Sequence, residues 1–154
     1  MSHLGFLEIP ALAPADAEDF ACTLAAMDPW LTLRYGAAAL RRTLGDAHPD
    51  LTRYLARRGG ETLGLAVVRY PWLRGGYIEL FAVLRAAQGQ GVGAALLGHL
   101  EAAYRGKTGN LWLLVSGFNG GARRFYGRHG FQTIGSIPDL LAPGQDEILM
   151  RKPL

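Results

Sequence analysis

Glu79 and Tyr126 are the side chains best suited by type to proton transfer, and between them lies a glycine-rich segment, Gln88-Gly89-Gln90-Gly91-Val92-Gly93. A carboxylate can take a proton directly or through water. A phenol, with a reference pKa of about 10, stays protonated near neutrality and can protonate a stronger base. The glycines let the backbone approach a ligand closely, and the unpaired N–H groups of a helix start favour an anion such as a phosphate or pyrophosphate. A strand leads into this turn: Tyr77, Glu79, Phe81 and Val83 alternate with Ile78, Leu80, Ala82 and Leu84, both sets mostly apolar, as in a sheet covered on both faces. The two-residue period places Glu79 on the face of Val83. A helix leads out of it, because Val92, Leu96, Leu100 and Ala103 form one apolar stripe over Gly91 to Tyr104.

Residue identity separates the machineries that use such a turn. A Walker loop needs Gly-Lys followed by Ser or Thr, and none of these follows here. A dinucleotide-binding turn needs an acid at the end of the next strand, but Leu111 to Val115 is followed by Ser116 and Gly117. The remaining pattern, Gln88, two residues, Gly91, one residue and Gly93, with Val83 in the preceding strand, resembles the acyl-coenzyme A pyrophosphate loop of GNAT superfamily N-acetyltransferases. Asn119, Ala122, Phe125, Tyr126, Gly130 and Phe131 match the family's following stretch position by position. Together the two motifs cover the C-terminal half of the chain.

The resemblance implies an α/β fold, a mixed sheet of about six to seven strands with flanking helices. It also implies acetyl-coenzyme A as donor and a primary amine as acceptor. The Val83 and Leu111 strands are expected to splay, freeing backbone at Phe81, Ala82 and Val83 for the pantetheine arm. Gln88, Gly89, Gln90, Gly91, Val92, Gly93 and Ala94 would hold the pyrophosphate. Asn119 would hydrogen-bond the pantetheine amides, Ala122 and Phe125 belong to the same site, and Tyr126 would protonate the departing thiolate. An alkyl amine must lose a proton before it attacks, and Glu79 is the candidate base through water, pairing with an arginine being its alternative role. Arg85 stands where many relatives carry Pro, and Gly120-Gly121 loosens the start of the Asn119 helix.

The acceptor is less well specified. The strand signature Glu-Val-Arg and the terminal tyrosine pair of ribosomal-protein N-terminal acetyltransferases are missing, since the strand reads Leu113-Leu114-Val115 and the chain ends Arg151-Lys152-Pro153-Leu154. Protein N-terminal acetylation therefore loses support, and the flat walls and charges of the piece after the first helix favour a small amine. In the irregular piece after the first helix, Trp30 and Tyr35 offer flat walls, Asp28 a site for a second ammonium and Arg34 one for a carboxylate; Asp139 in the late loop is a further acid. The alternatives are a domain that binds acyl-coenzyme A without turnover, and acetylation of a protein or peptide amine.

A chain of 154 residues, 49% hydrophobic, suits one core and one domain, 1–154. The single cysteine, Cys22, excludes an internal disulfide, fits a reducing cytoplasm and reads as a small buried hydrophobe. No apolar run approaches the roughly 20 residues of a membrane span, and no signal-peptide pattern opens the chain. The net charge of +3 is mild, fits a polyanionic cofactor and argues for neither nucleic acid nor membrane; a homodimer stays open. The histidines are scattered without a metal-ligand pattern, His99 reading as packed on the long helix. Arg123 and Arg124 are either solvated or partners of the cofactor's phosphates.

The remaining elements follow from periodicity and breakers. Strands are expected over Phe6 to Ile9, Leu51 to Arg57, Glu61 to Tyr70, Phe131 to Ile137 and Glu147 to Arg151. Helices are expected from Pro14 to about Met27, from Ala37 to Leu44 and from Asn119 to Arg128. Hairpins would turn at Arg58-Gly59-Gly60 and at Arg74-Gly75-Gly76.

Overall fold

The computed structural model describes residues 3–154. Four antiparallel neighbours, β1 (Leu4–Ile9), β2 (Leu51–Arg58), β3 (Glu61–Trp72) and β4 (Gly75–Val83), make one half of a seven-stranded sheet. The helix α4 (Val92–Tyr104) then crosses over to β5 (Asn110–Ser116), which lies parallel to β4. Beyond β5 the order is β7 (Asp146–Pro153) and then β6 (Gln132–Pro138), each antiparallel to its neighbour. The expected mixed sheet is thus present, with β4 and β5 as its one parallel pair among the described strands.

Each face of the sheet has its own core. Ala56, Ala66, Val68, Ile78, Leu113 and Ile148 face α4, whose Val92, Leu96, Leu97 and Leu100 are buried, together with Tyr126 of α5 (Gly120–Arg128). Leu55, Leu65, Val67 and Leu80 face the other way, under α1 (Pro14–Ala25) and α3 (Ala37–Gly45). The Ala17, Ala21 and Leu24 stripe of α1 supplies that second layer. His99 is packed as expected, its ring stacked on Phe6 at 4.3 Å. Arg53 is completely buried, and its guanidinium donates to the carbonyls of Pro10, Thr43 and Asp46 at 2.6 to 3.1 Å, fastening the β1 exit and α3 to β2.

Several local expectations are corrected. Cys22 is exposed, because it lies one step round α1 from the buried Ala21. The β3–β4 turn is made by Leu73 and Arg74, both with positive φ, rather than by the glycines. Gly75 is needed inside the strand: a Cβ there would lie 2.6 Å from the Asn110 carbonyl and 2.9 Å from Trp112 Nε1. The piece read as irregular contains a short helix, α2 (Trp30–Leu33), whose start is tied by the Asp28 carboxylate accepting from Thr32 N at 3.0 Å.

The correction with most consequence is at Glu79. Val67 pairs with Leu80 and Val68 with Ile78, so Glu79 is the extra residue of a β-bulge. Ile78, Phe81 and Val83 pack toward α4, whereas Leu80 and Ala82 pack toward α1 and α3. The bulge shifts the alternation, and Glu79 lies on the α1–α3 face with its partner Arg69, opposite Val83 rather than beside it.

Candidate active site

The strands β4 and β5 pair only at Gly76 with Leu111, Tyr77 with Trp112 and Ile78 with Leu113. Beyond that point β4 runs on to Val83 with β3 alone at its side, while β5 runs on to Ser116 against β7. A wedge therefore opens in the middle of the sheet, and the β4 backbone along it lacks a neighbouring strand. A cavity of about 760 Å³ fills the wedge. Phe81, Val83 and Tyr126 line it from the α4 side, and Trp30, Tyr35 and Glu79 from the other.

On the α4 side the glycine segment forms a cradle. Gly91 caps α4 with φ 80°, and Gly89 has φ 77°; a Cβ on either would meet no atom within 4 Å, so the loop's outer surface is open. Among the described residues no side chain caps α4, and its first turn holds no acid, leaving its N–H groups and positive dipole end to a ligand. Gly93 has another purpose, because its Cβ would sit 3.4 Å from both Phe125 and Val83; its smallness lets α4 close on α5 and β4. Gln88 Nε2 donates to the Val83 carbonyl and Gln90 Nε2 to the Ala86 carbonyl, each at 3.1 Å, so both side chains brace the loop. Gln88, Gly89, Gly91, Val92, Gly93 and Ala94 line the cavity, and Gln90 does not.

Asn119 caps α5, its Oδ1 accepting from Ala122 N at 3.2 Å, and its Nδ2 has no partner among the described residues. Both residues line the cavity with Phe125. Tyr126 is 8% exposed, and its ring meets Phe81, Phe125 and Phe131 edge-on. Its hydroxyl has no hydrogen-bond partner among the described residues, and burial pushes its pKa above the ordinary phenol value, so it holds its proton. Arg123 and Arg124 are exposed.

On the opposite side Arg69 Nε donates to Glu79 Oε1, leaving Oε2 without a partner among the described residues. Asp28, Trp30 and Tyr35 line the cavity, Asp28 already engaged with Thr32. Arg34 lies outside it, at the left-handed end of α2, and Asp139 closes the β6–β7 loop by accepting from Gly144 N. Sequence reasoning missed Ser116 and Glu147, which line the cavity and hydrogen-bond one another. Only the β5–β7 register brings these two together, and nothing local in the sequence announces it.

Residues 16–131 match the acetyltransferase (GNAT) family. The chain belongs to the GNAT acetyltransferases. It is 36% identical to an uncharacterized N-acetyltransferase of Methanocaldococcus jannaschii over 64% of each chain, so that alignment spans less than two thirds of the relative's own length. It is 34% identical to the blasticidin-S acetyltransferase of Streptomyces morookaense, over 75% of this chain and 86% of the relative. Among solved structures, nourseothricin acetyltransferase superposes with a TM-score of 0.63 at 31% identity, covering 71% of this chain and 69% of that one. A GNAT protein of Desulfovibrio desulfuricans shares the fold over 98% of this GNAT chain and 99% of its own, with a TM-score of 0.76 at 20% identity. Acetyl-coenzyme A is the family's usual acetyl donor. The features of this acetyltransferase fit that group: an open, uncapped helix start for the diphosphate and an unpaired β4 edge for the amide-bearing arm. Among the described residues no helix is long and apolar enough to cross a membrane.

Proposed function

We propose that this GNAT acetyltransferase moves an acetyl group from acetyl-coenzyme A to the primary amine of a small molecule. The observation that carries the reading is a single cavity reaching both faces of the sheet through the β4–β5 wedge, with an open anion cradle on one face and an aromatic, acid-bearing chamber on the other. Relatives named for blasticidin S and nourseothricin support a small acceptor.

Held on Gly89, Gly91 to Ala94 and the free β4 edge, acetyl-coenzyme A supplies the acetyl group as a thioester. The chain's own groups do the rest. Backbone N–H groups along Glu79 to Val83 are donors for the carbonyl oxygen as charge develops on it. Asn119 Nδ2 orients the amide-bearing arm. Glu79 Oε2 takes the amine's proton through water while Arg69 fixes the carboxylate by Oε1. Tyr126 Oη delivers its proton to the leaving sulfur.

Thiol release from acetyl-coenzyme A, measured against amino acids, polyamines, aminoglycosides and lysine- or alanine-terminated peptides, tests the reading. Turnover with small amines is expected, with Trp30→Ala altering the acceptor profile and Arg34→Ala, outside the cavity, leaving it as it is. Acetylation of peptides alone, or cofactor binding with no thiol release for any amine, would overturn it.

A further inference from the structure

Glu147 is a buried acid that the chemistry above does not use. It is 2% exposed, yet its side chain borders the cavity. Ser116 Oγ, with one hydrogen to give, lies 3.1 and 2.9 Å from its two oxygens, and Glu147 makes no ion pair within 4.0 Å among the described residues. Tyr77 on β4 lies near it, with Glu79 and Tyr35 close to Tyr77; Arg69 on β3 is engaged by Glu79; Asp28 and Arg128 border the cavity without pairing with Glu147. A carboxylate removed from water needs a counter-ion, and breaking or withholding it is costly.

We propose that the acceptor supplies that counter-ion: the substrate of this enzyme is a cationic amine whose ammonium group docks on Glu147, held between Ser116 and Tyr77 before it is acetylated. The proposal rests on the small-amine reading and adds to it the residue that holds the acceptor's positive charge. Trp30 and Tyr35 border the same chamber and give an ammonium aromatic faces to lie against. Burial holds the Glu147 carboxyl above its ordinary range, offset in part by the Ser116 hydroxyl, so the empty site carries an electrostatic cost that a bound cation removes.

The test is Glu147→Gln, which keeps shape and hydrogen-bonding capacity and removes charge. For the panel amine with the highest wild-type kcat/KM, KM should rise by roughly tenfold or more, as for loss of a desolvated charge partner, with coenzyme A affinity unchanged by calorimetry. Glu147→Asp should recover part of the loss. Melting distinguishes a binding group from a structural one. A carboxyl whose pKa is raised by folding loses stability as pH rises above the unfolded value of 4.5, so Glu147→Gln should melt at or above the wild-type temperature at neutral pH, the gain fading in acid. If Glu147→Gln does not fold, Glu147→Met, apolar and of similar volume, serves for the same comparison. An unchanged KM, a lower melting temperature with weakened coenzyme A binding, or failure of both variants to fold overturns this proposal alone. Wild-type silence toward every small amine overturns the acceptor reading and this proposal with it.

Discussion

Tyr126 combines two properties that general-acid work requires: a phenol that keeps its proton and a hydroxyl that none of the described residues engages. Tyr126→Phe removes one oxygen from an otherwise apolar ring cluster, so packing against Phe81, Phe125 and Phe131 is retained. We expect kcat to fall by roughly 10²-fold or more with coenzyme A affinity little altered; a wild-type rate would remove Tyr126 from the chemistry. Glu79 differs, because Arg69 occupies one oxygen and leaves one for water. Glu79→Gln should lower kcat/KM by about 10²-fold while the cofactor still binds, and an unchanged pH–rate profile would reassign the base. Asn119 joins two tasks in one amide, capping α5 by Oδ1 and presenting Nδ2 to the cavity. Its dual use explains why a local cap and a ligand contact are indistinguishable when only the residue type is known.

The strand-to-helix element carries the cradle, and its glycines divide the work. At Gly91 the left-handed backbone admits no ordinary side chain without strain of about 1–2 kcal/mol. Gly91→Val should therefore lower the melting temperature by a few degrees and abolish coenzyme A binding by displacing the first turn of α4. Calorimetry on the folded variant checks this, and retained affinity would place the diphosphate elsewhere. Alternation and turn chemistry made most elements readable, including the β2–β3–β4 meander, the α4 crossover and the β5 run. Period alone could not reveal the bulge at Glu79, because a single inserted residue leaves the apolar pattern on both sides of it intact. For the same reason the side of the sheet that Glu79 serves came only from its register against Val67 and Val68. The turn at Leu73-Arg74 was hidden by neighbouring glycines whose need is close packing against Asn110 and Trp112. Ser116 and Glu147 meet through pairing of strands 31 residues apart, and no local signal could have joined them.

At the scale of the molecule, the wedge is possible because each half of the sheet is independently braced. The β1–β4 half is anchored by the buried Arg53, and the β5–β7–β6 half by antiparallel pairing along β7, unbroken against β5 and shifted once against β6. Arg53→Met should cost about 3 kcal/mol or more, because it leaves three carbonyls without their donor; a melting temperature within a degree of wild type would contradict that bracing role. Binding in the wedge should stabilise the whole chain, by about 2.7 kcal/mol at a hundredfold excess of acetyl-coenzyme A over Kd, seen as a concentration-dependent rise in melting temperature. The central claim is that donor and acceptor meet through the wedge from opposite faces of the sheet. A crystal structure with coenzyme A and the best panel amine tests it most directly. The diphosphate is expected on Gly89 and Gly91 to Ala94, the sulfur beside Tyr126 Oη, and the amine on the α1–α3 side near Glu79 and Glu147. Coenzyme A lying outside the wedge, or both ligands on one face of the sheet, would contradict it.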